Sequence, residues 1–235
     1  MNASNLTAVL DAVKALLESN LIADQSTTAP ILAGQDRIQV EQWCPFEDGQ
    51  FVVVYDSDND AEAYPRQIQI EDETTLWLSE PIPVNLESAR IQKSINGQYL
   101  KTILIGSPQN LTHFPCLTIN GDVGSIEPLT IGGLSNVIYD LTISVWAEAP
   151  DCDTANRNAW AIAREVEATL TNQINPDPNN CSIWFSELQA ARQDQLVNAN
   201  STLKVIHLPY SVHETVQRFI ADLPVHLQMA QDQSP

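Results

Sequence analysis

The chain has 235 residues, enough for one large domain or two small ones, and 43% of them are hydrophobic, which suits a folded globular chain. Eleven Lys and Arg stand against thirty Asp and Glu, a formal net charge of −19. That balance excludes a protein that grips nucleic acid over a broad surface or docks on an anionic membrane, because both need clustered cations.

In chain order, the first signal is helical. Leu6, Val9, Leu10, Val13, Leu16 and Leu17 recur at helical spacing and predict an amphipathic helix over 4–18, capped by Ser4 or Asn5. Asp11, Lys14 and Glu18 interrupt any secretory apolar region, so no signal peptide is expected. No apolar run reaches the length of a membrane-spanning helix. The stripe is expected to pack on a sheet or on another subunit.

Residues 36–87 carry thirteen acids and two bases, a net charge of −11. Short apolar segments at 51–55, 68–70 and 76–78 alternate with turn material at 47–49, 56–60, 71–74 and 80–83. This texture predicts a small β barrel or sandwich, inserted over 36–94, with its acids on solvated loops. The remainder, 1–35 plus 95–235, reads as one discontinuous domain.

Longer strands follow, at 99–105, 115–119 and 137–146. The last is the strongest, with Val137, Tyr139, Leu141, Ile143 and Val145 on one face. The glycine-bearing stretch 120–133 is read as a flexible connection that orders only on contact with a neighbour. Asp153 or Thr154 caps a second helix running to about Ile174, with Ala159, Ile162, Ala163, Val166, Leu170 and Ile174 buried. Strands at 182–185 and 203–212 flank a polar stretch, and residues 219–235 form a short helix or arm. The fold class is therefore α+β: a mainly antiparallel sheet flanked by two helices, with an inserted small all-β module.

Catalytic and cofactor motifs are missing. Asp56, Asp58 and Asp60 begin like a calcium loop, but Ala61 and Gln67 occupy the positions that require Gly and Glu. His113, His207, His213 and His226 show no ligand spacing, although His207 and His213 share a strand face. Cys44, Cys116, Cys152 and Cys181 form no paired metal motif and are expected as thiols. The five tryptophans, Trp43, Trp77, Trp146, Trp160 and Trp184, are scattered along the chain and favour packing over a sugar-binding platform. No metal, cofactor or catalytic residue is expected.

Three features together resemble the tail-terminator and neck, or head-to-tail connector, families of long-tailed bacteriophages: the helix Leu6 to Leu17, the run 114–119 followed by 139–146 and the helix 155–174, and the closing pair 184–185 and 205–212. The resemblance implies a virion protein whose copies form a ring, six in that family, between tail and head. Its partners would be its own copies, a tail tube or sheath protein and a head-side connector, with DNA passing unbound. Assembly would take place in the host cytoplasm. On this reading Leu6, Val9, Leu10, Val13, Leu17, Gly124, Ile126, Leu129 and Ile131 are expected subunit contacts. Asp56, Asp58, Asp60, Glu71, Asp72 and Glu73 are expected on an acidic lumen or loop that repels phosphates. The module 36–94 departs from the family, whose members are often shorter. The alternatives are a non-ring baseplate or accessory module that binds a partner through the acidic β-domain, and a hydrolase with dispersed residues such as Asp140 or His207.

Overall fold

The computed structural model describes residues 6–22, 24–41, 46–107, 111, 113–128, 134–171, 183–197 and 201–217. Helix α1 spans Leu6–Leu21, and the expected caps Ser4 and Asn5 lie outside the described residues. Its i,i+4 pair Lys14–Glu18 sits on the solvent side, while Val9, Leu10, Val13, Leu16, Leu17 and Leu21 are buried.

Six strands follow: β1 (Asp24–Ser26), β2 (Arg37–Gln39), β3 (Phe51–Asp56), β4 (Asn59–Ile70), β5 (Thr75–Leu78) and β6 (Ala89–Lys93). They form an antiparallel sheet in the order β1-β6-β3-β4-β5-β2. Its two edges meet. Thr27 bridges Val40, the Thr28 N–H donates to the Gln39 carbonyl at 2.9 Å, and the Glu41 N–H donates to the Ser26 carbonyl at 3.0 Å. The sheet is thus a small closed barrel, which removes its free edges. Ile31, Ile38, Val52, Val54, Ile68, Leu76, Leu78 and Ile91 fill its interior. Because β1 and Ile31 belong to this barrel, it starts near residue 24. The boundary at 36 followed acid density, and acids mark turns rather than sheet closure.

The second sheet holds β7 (Thr102–Ile105), β8 (Cys116–Pro128), β9 (Leu134–Ala149), β10 (Ile183–Leu188), β11 (Arg192–Val197) and β12 (Thr202–Gln217). Its order is β10-β12-β9-β8-β7, with β11 also on β12, and β7–β8 is its one parallel pair. Helix α2 (Cys152–Thr171) follows β9. Its cap is Asp151, not Asp153 or Thr154: Asp151 Oδ1 accepts the Thr154 N–H at 2.8 Å. Both helices cover one face of this sheet, and the expected α+β class holds.

Residues 120–128 are strand, not a flexible connection. They pair with 135–142 of β9, with a bulge between Val123 and Ser125. Two glycines here sit close to side chains of β9. A Cβ on Gly121 would lie 2.3 Å from Leu141 Cδ2, and one on Gly124 would lie 2.1 Å from Asp140 Oδ2. β11 arises from a stretch read only as polar, and it is exposed along its length where described. Ile174 and the tail 219–235 lie outside the described residues.

Barrel and second sheet join through specific contacts. Lys93 Nζ meets Glu165 Oε2 at 2.6 Å, Asn96 Nδ2 donates to Asn158 Oδ1 at 2.7 Å, and the rings of Tyr55 and Tyr99 stack with centroids 4.3 Å apart. Asn96 (φ 55°) and Gly97 (φ 80°) make the tight turn between the bridged residues Ile95 and Gln98.

The two glycines predict different outcomes on substitution. Gly121→Ala drives a methyl into the buried Leu141 and should cost about 1–3 kcal/mol in urea unfolding. Gly124→Ala meets the end of an exposed carboxylate that can rotate away, and its cost should be smaller.

Candidate functional site

The helix residues expected at a subunit contact are used inside the chain. Val9, Leu10, Val13 and Leu17 are buried against β7, β8 and α2, and Leu6 packs at the margin of the same core. Val9, Leu10, Val13 and Leu17 thus serve the chain's own core and leave no surface for a second molecule, while Leu6 stays partly exposed at its margin. Gly124 and Ile126 do lie at an accessible place, the distal part of β8. Leu129 and Ile131 lie outside the described residues.

The distal part of β8 is structurally unusual. Strand β7 pairs with β8 only from Cys116 to Ile119. From Gly121 to Pro128 the outer edge of β8 has no strand partner among the described residues. Val123 lies opposite Tyr139 and Ile126 opposite Val137, so both sit on the sheet face that carries the core. Tyr139 and Val137 are buried, whereas Val123 is 50% and Ile126 43% exposed. Among the described residues the apolar face therefore runs on past the helices to an unpaired strand edge, a combination that favours pairing with another chain.

The acids separate into two groups at opposite ends of β4. Asp56 and Asp58 stand at the β3–β4 turn. Asp56 Oδ1 accepts the Asp58 N–H at 2.9 Å, and its Oδ2 accepts the Glu87 N–H at 2.9 Å and the Ser88 N–H at 3.4 Å. The Asp58 N–H first, and the Ser88 and Glu87 N–H groups with it, hold the Asp56 carboxyl below its usual range. Asp58 accepts from Ser88 Oγ at 3.0 Å. Asp60 is in β4 as backbone. Glu71, Asp72 and Glu73 form the β4–β5 turn, where Asp72 accepts the Thr74 N–H at 2.8 Å and is likewise held low, first by that bond. Glu73 is exposed. Glu71 is bound by Arg37 and Trp77: Arg37 Nε and Nη2 donate to its two oxygens at 2.7 Å each, and Trp77 Nε1 donates at 2.8 Å. The two turns stand at opposite ends of β4, which sets Asp56 and Asp58 apart from Glu71, Asp72 and Glu73.

On the sheet face away from the helices, Ser144 Oγ lies 2.8 Å from His207 Nδ1, and His207 Nε2 lies 3.1 Å from Asp194 Oδ2. This line has the membership of a hydrolytic triad but the opposite burial. Ser144 is 3% exposed, while the Asp194 side chain is 74% exposed. Acyl transfer needs a nucleophile open to substrate and a sheltered carboxylate. The line is better suited to tying β11 to β12 and β9. Asp140 Oδ1 accepts from Ser211 Oγ at 3.2 Å on the same face. His213 lies 3.5 Å from Asn136, also on this face. Among the described residues no group of three or more His, Cys, Asp and Glu is placed to hold a metal ion, and no helix is long and apolar enough to cross a membrane.

A cleft of about 610 Å³ lies where the barrel meets the second sheet, bordered by Asp24, Tyr55, Arg90, Tyr99, Lys101 and His113. Its charges are of both signs, and Arg90 already holds Asp24 at 2.8 Å.

No protein-family model matches the chain, and no curated protein matches it. Among solved structures, the chain is similar to a chain in the virion of a native gene transfer agent particle, at 16% identity and a TM-score of 0.37, over 48% of this chain and 78% of that one.

Two predictions follow from these environments. Asp56 has a depressed carboxyl pKa in the folded state, so its contribution is present above the unfolded value of 3.8 and is lost as pH falls through the lower folded value. Asp56→Asn should therefore flatten the decline of unfolding free energy below about pH 4, measured by urea melts across pH. Burial pushes the Cys116 thiol up to about 11, whereas Cys152 is exposed. Alkylation at neutral pH, mapped by mass spectrometry, should label Cys152 in the native protein and Cys116 only after unfolding.

Proposed function

We propose that this chain is a structural subunit of a tailed-phage particle that self-associates into a ring at the neck, where tail tube or sheath meets the head-side connector and DNA passes without being held. The observation that carries this reading is the open distal edge of β8 with Val123 and Ile126 exposed beside it. An apolar strand edge without a partner among the described residues is what a subunit of an assembly uses to join its neighbour.

The net charge of −19 supports the same reading. A passage for DNA works best when its wall does not bind phosphate, and this chain carries few cations with which to bind it. The ring number of six comes from the family resemblance alone.

Light scattering and negative-stain microscopy of the full chain over a range of concentrations test the proposal. Rings with a hole at least as wide as duplex DNA are expected at high concentration. Val123→Lys with Ile126→Lys should weaken association by about 100-fold and leave the melting curve nearly unchanged, since both side chains are exposed in the single chain. Monomers at every concentration, or rings indifferent to the double substitution, would overturn it.

A further inference from the structure

The barrel displays a second surface, unrelated to the β8 edge. Cross-strand register places Arg37 opposite Trp77, Trp77 opposite Gln69, and Phe51 opposite Gln67. Their neighbours Ile38, Leu76, Ile68 and Val52 point into the barrel, so these five side chains share its outer face across four adjacent strands. Two of the five are large aromatics left in water: Trp77 is 41% and Phe51 57% exposed. From strand spacing and rise they stand about 12 Å apart, with the two glutamines between them.

Trp77 is held more firmly than an exposed ring needs for folding. Its indole N–H donates to Glu71 Oε2 at 2.8 Å, the Arg37 fork fixes the same carboxylate through two bonds of 2.7 Å, and the Arg37 guanidinium carbon lies 5.6 Å from the ring centroid. The ring is thereby set in one orientation before any ligand arrives, which lowers the entropy cost of binding to it. The Gln69 side chain opposite is exposed, with no side-chain hydrogen bond among the described residues. Gln67 Nε2 is occupied by the Gly49 carbonyl at 2.9 Å, which orients that amide as well.

The charge of this face identifies its ligand class. Over 36–87 the chain carries net −11, yet here Arg37 is matched by Glu71 and the other four side chains are uncharged. An anionic polymer would be repelled by the surrounding acids, and a cationic peptide would be drawn to the turns at the ends of β4 rather than to this row. An uncharged polyhydroxyl chain is neither repelled nor diverted. Its C–H faces stack on aromatic rings, and its hydroxyls pair with carboxamides, each of which both donates and accepts. We infer that the outer face of the barrel formed by Trp77, Gln69, Gln67 and Phe51 is a binding site for a neutral oligosaccharide. The site does not rest on the ring proposal and exists on the single chain.

The test follows the Trp77 indole N–H resonance of the full chain, assigned with Trp77→Phe, during titration with cellohexaose, maltohexaose and hexa-N-acetylchitohexaose to about 10 mM. A saturable shift with at least one sugar is expected. Trp77→Ala should weaken that affinity about tenfold, measured by calorimetry. Gln69→Ala removes only an exposed amide, keeps the fold and should weaken binding about threefold. No saturable shift with any of the three sugars would overturn the inference, as would affinity unchanged in both Trp77→Ala and Gln69→Ala. A shift driven by protein concentration instead of sugar would make the face a contact between copies and would equally overturn it.

Discussion

Sixteen consecutive residues of β9 pair antiparallel with sixteen of β12 in an unbroken register. Because side chains alternate along a strand, that register decides which residues face the helices. Tyr139, Leu141, Ile143 and Val145 join Ile206, Leu208, Tyr210 and Val212 on the covered face, where α1 and α2 bury them. Ser144, His207, Asp140 and Ser211 fall on the other face and pair with one another. A slip of one residue would exchange the two faces and leave hydroxyls and an imidazole under the helices. The positions of α1, α2, β8 and β11 all follow from this central pair.

The parts of the fold legible in the sequence are those where one face is buried and the other is wet. The leucines and valines of α1 and the alternation of β9 announce themselves because burial demands a period. Polar strands do not. β11 reads only as a polar stretch because Arg192, Gln193, Asp194 and Gln195 carry no apolar period, and what holds it is the backbone ladder to β12. The distal part of β8 hides for another reason: Gly121 and Gly124 lower strand propensity, yet their missing side chains are what let Leu141 and Asp140 come close. β1, with the sequence Asp-Gln-Ser, gives no hint that it closes a barrel. Asn96-Gly97, with positive φ at both positions, is a local turn signal at the joint between the two sheets that a reading by acid density passes over.

Site residues were less legible than elements, since sites depend on strand pairing between distant segments. Trp77 and Phe51 are 26 positions apart and separated by turns, and only the register through Gln69 and Gln67 brings them to one surface. The clustered acids show the reverse effect. Asp56, Asp58, Glu71, Asp72 and Glu73 are prominent in the sequence, but Asp56 and Asp72 serve to cap their own turns and Glu71 braces Trp77 and Arg37. Charge density along a chain records where the chain turns; it does not by itself locate a functional wall.

The pairing of β1 with β6 has a further meaning. Asp24 lies opposite Gln92, so the points at which the chain leaves α1 and returns toward β7 are adjacent strands, about 5 Å apart. Nearly seventy residues are therefore hung on two neighbouring backbone positions. The covalent attachment of the barrel to the helix-and-sheet layer is thus confined to one narrow place, with the Tyr55–Tyr99 stack beside it. The barrel is in this sense a head on a handle, fastened at one narrow neck.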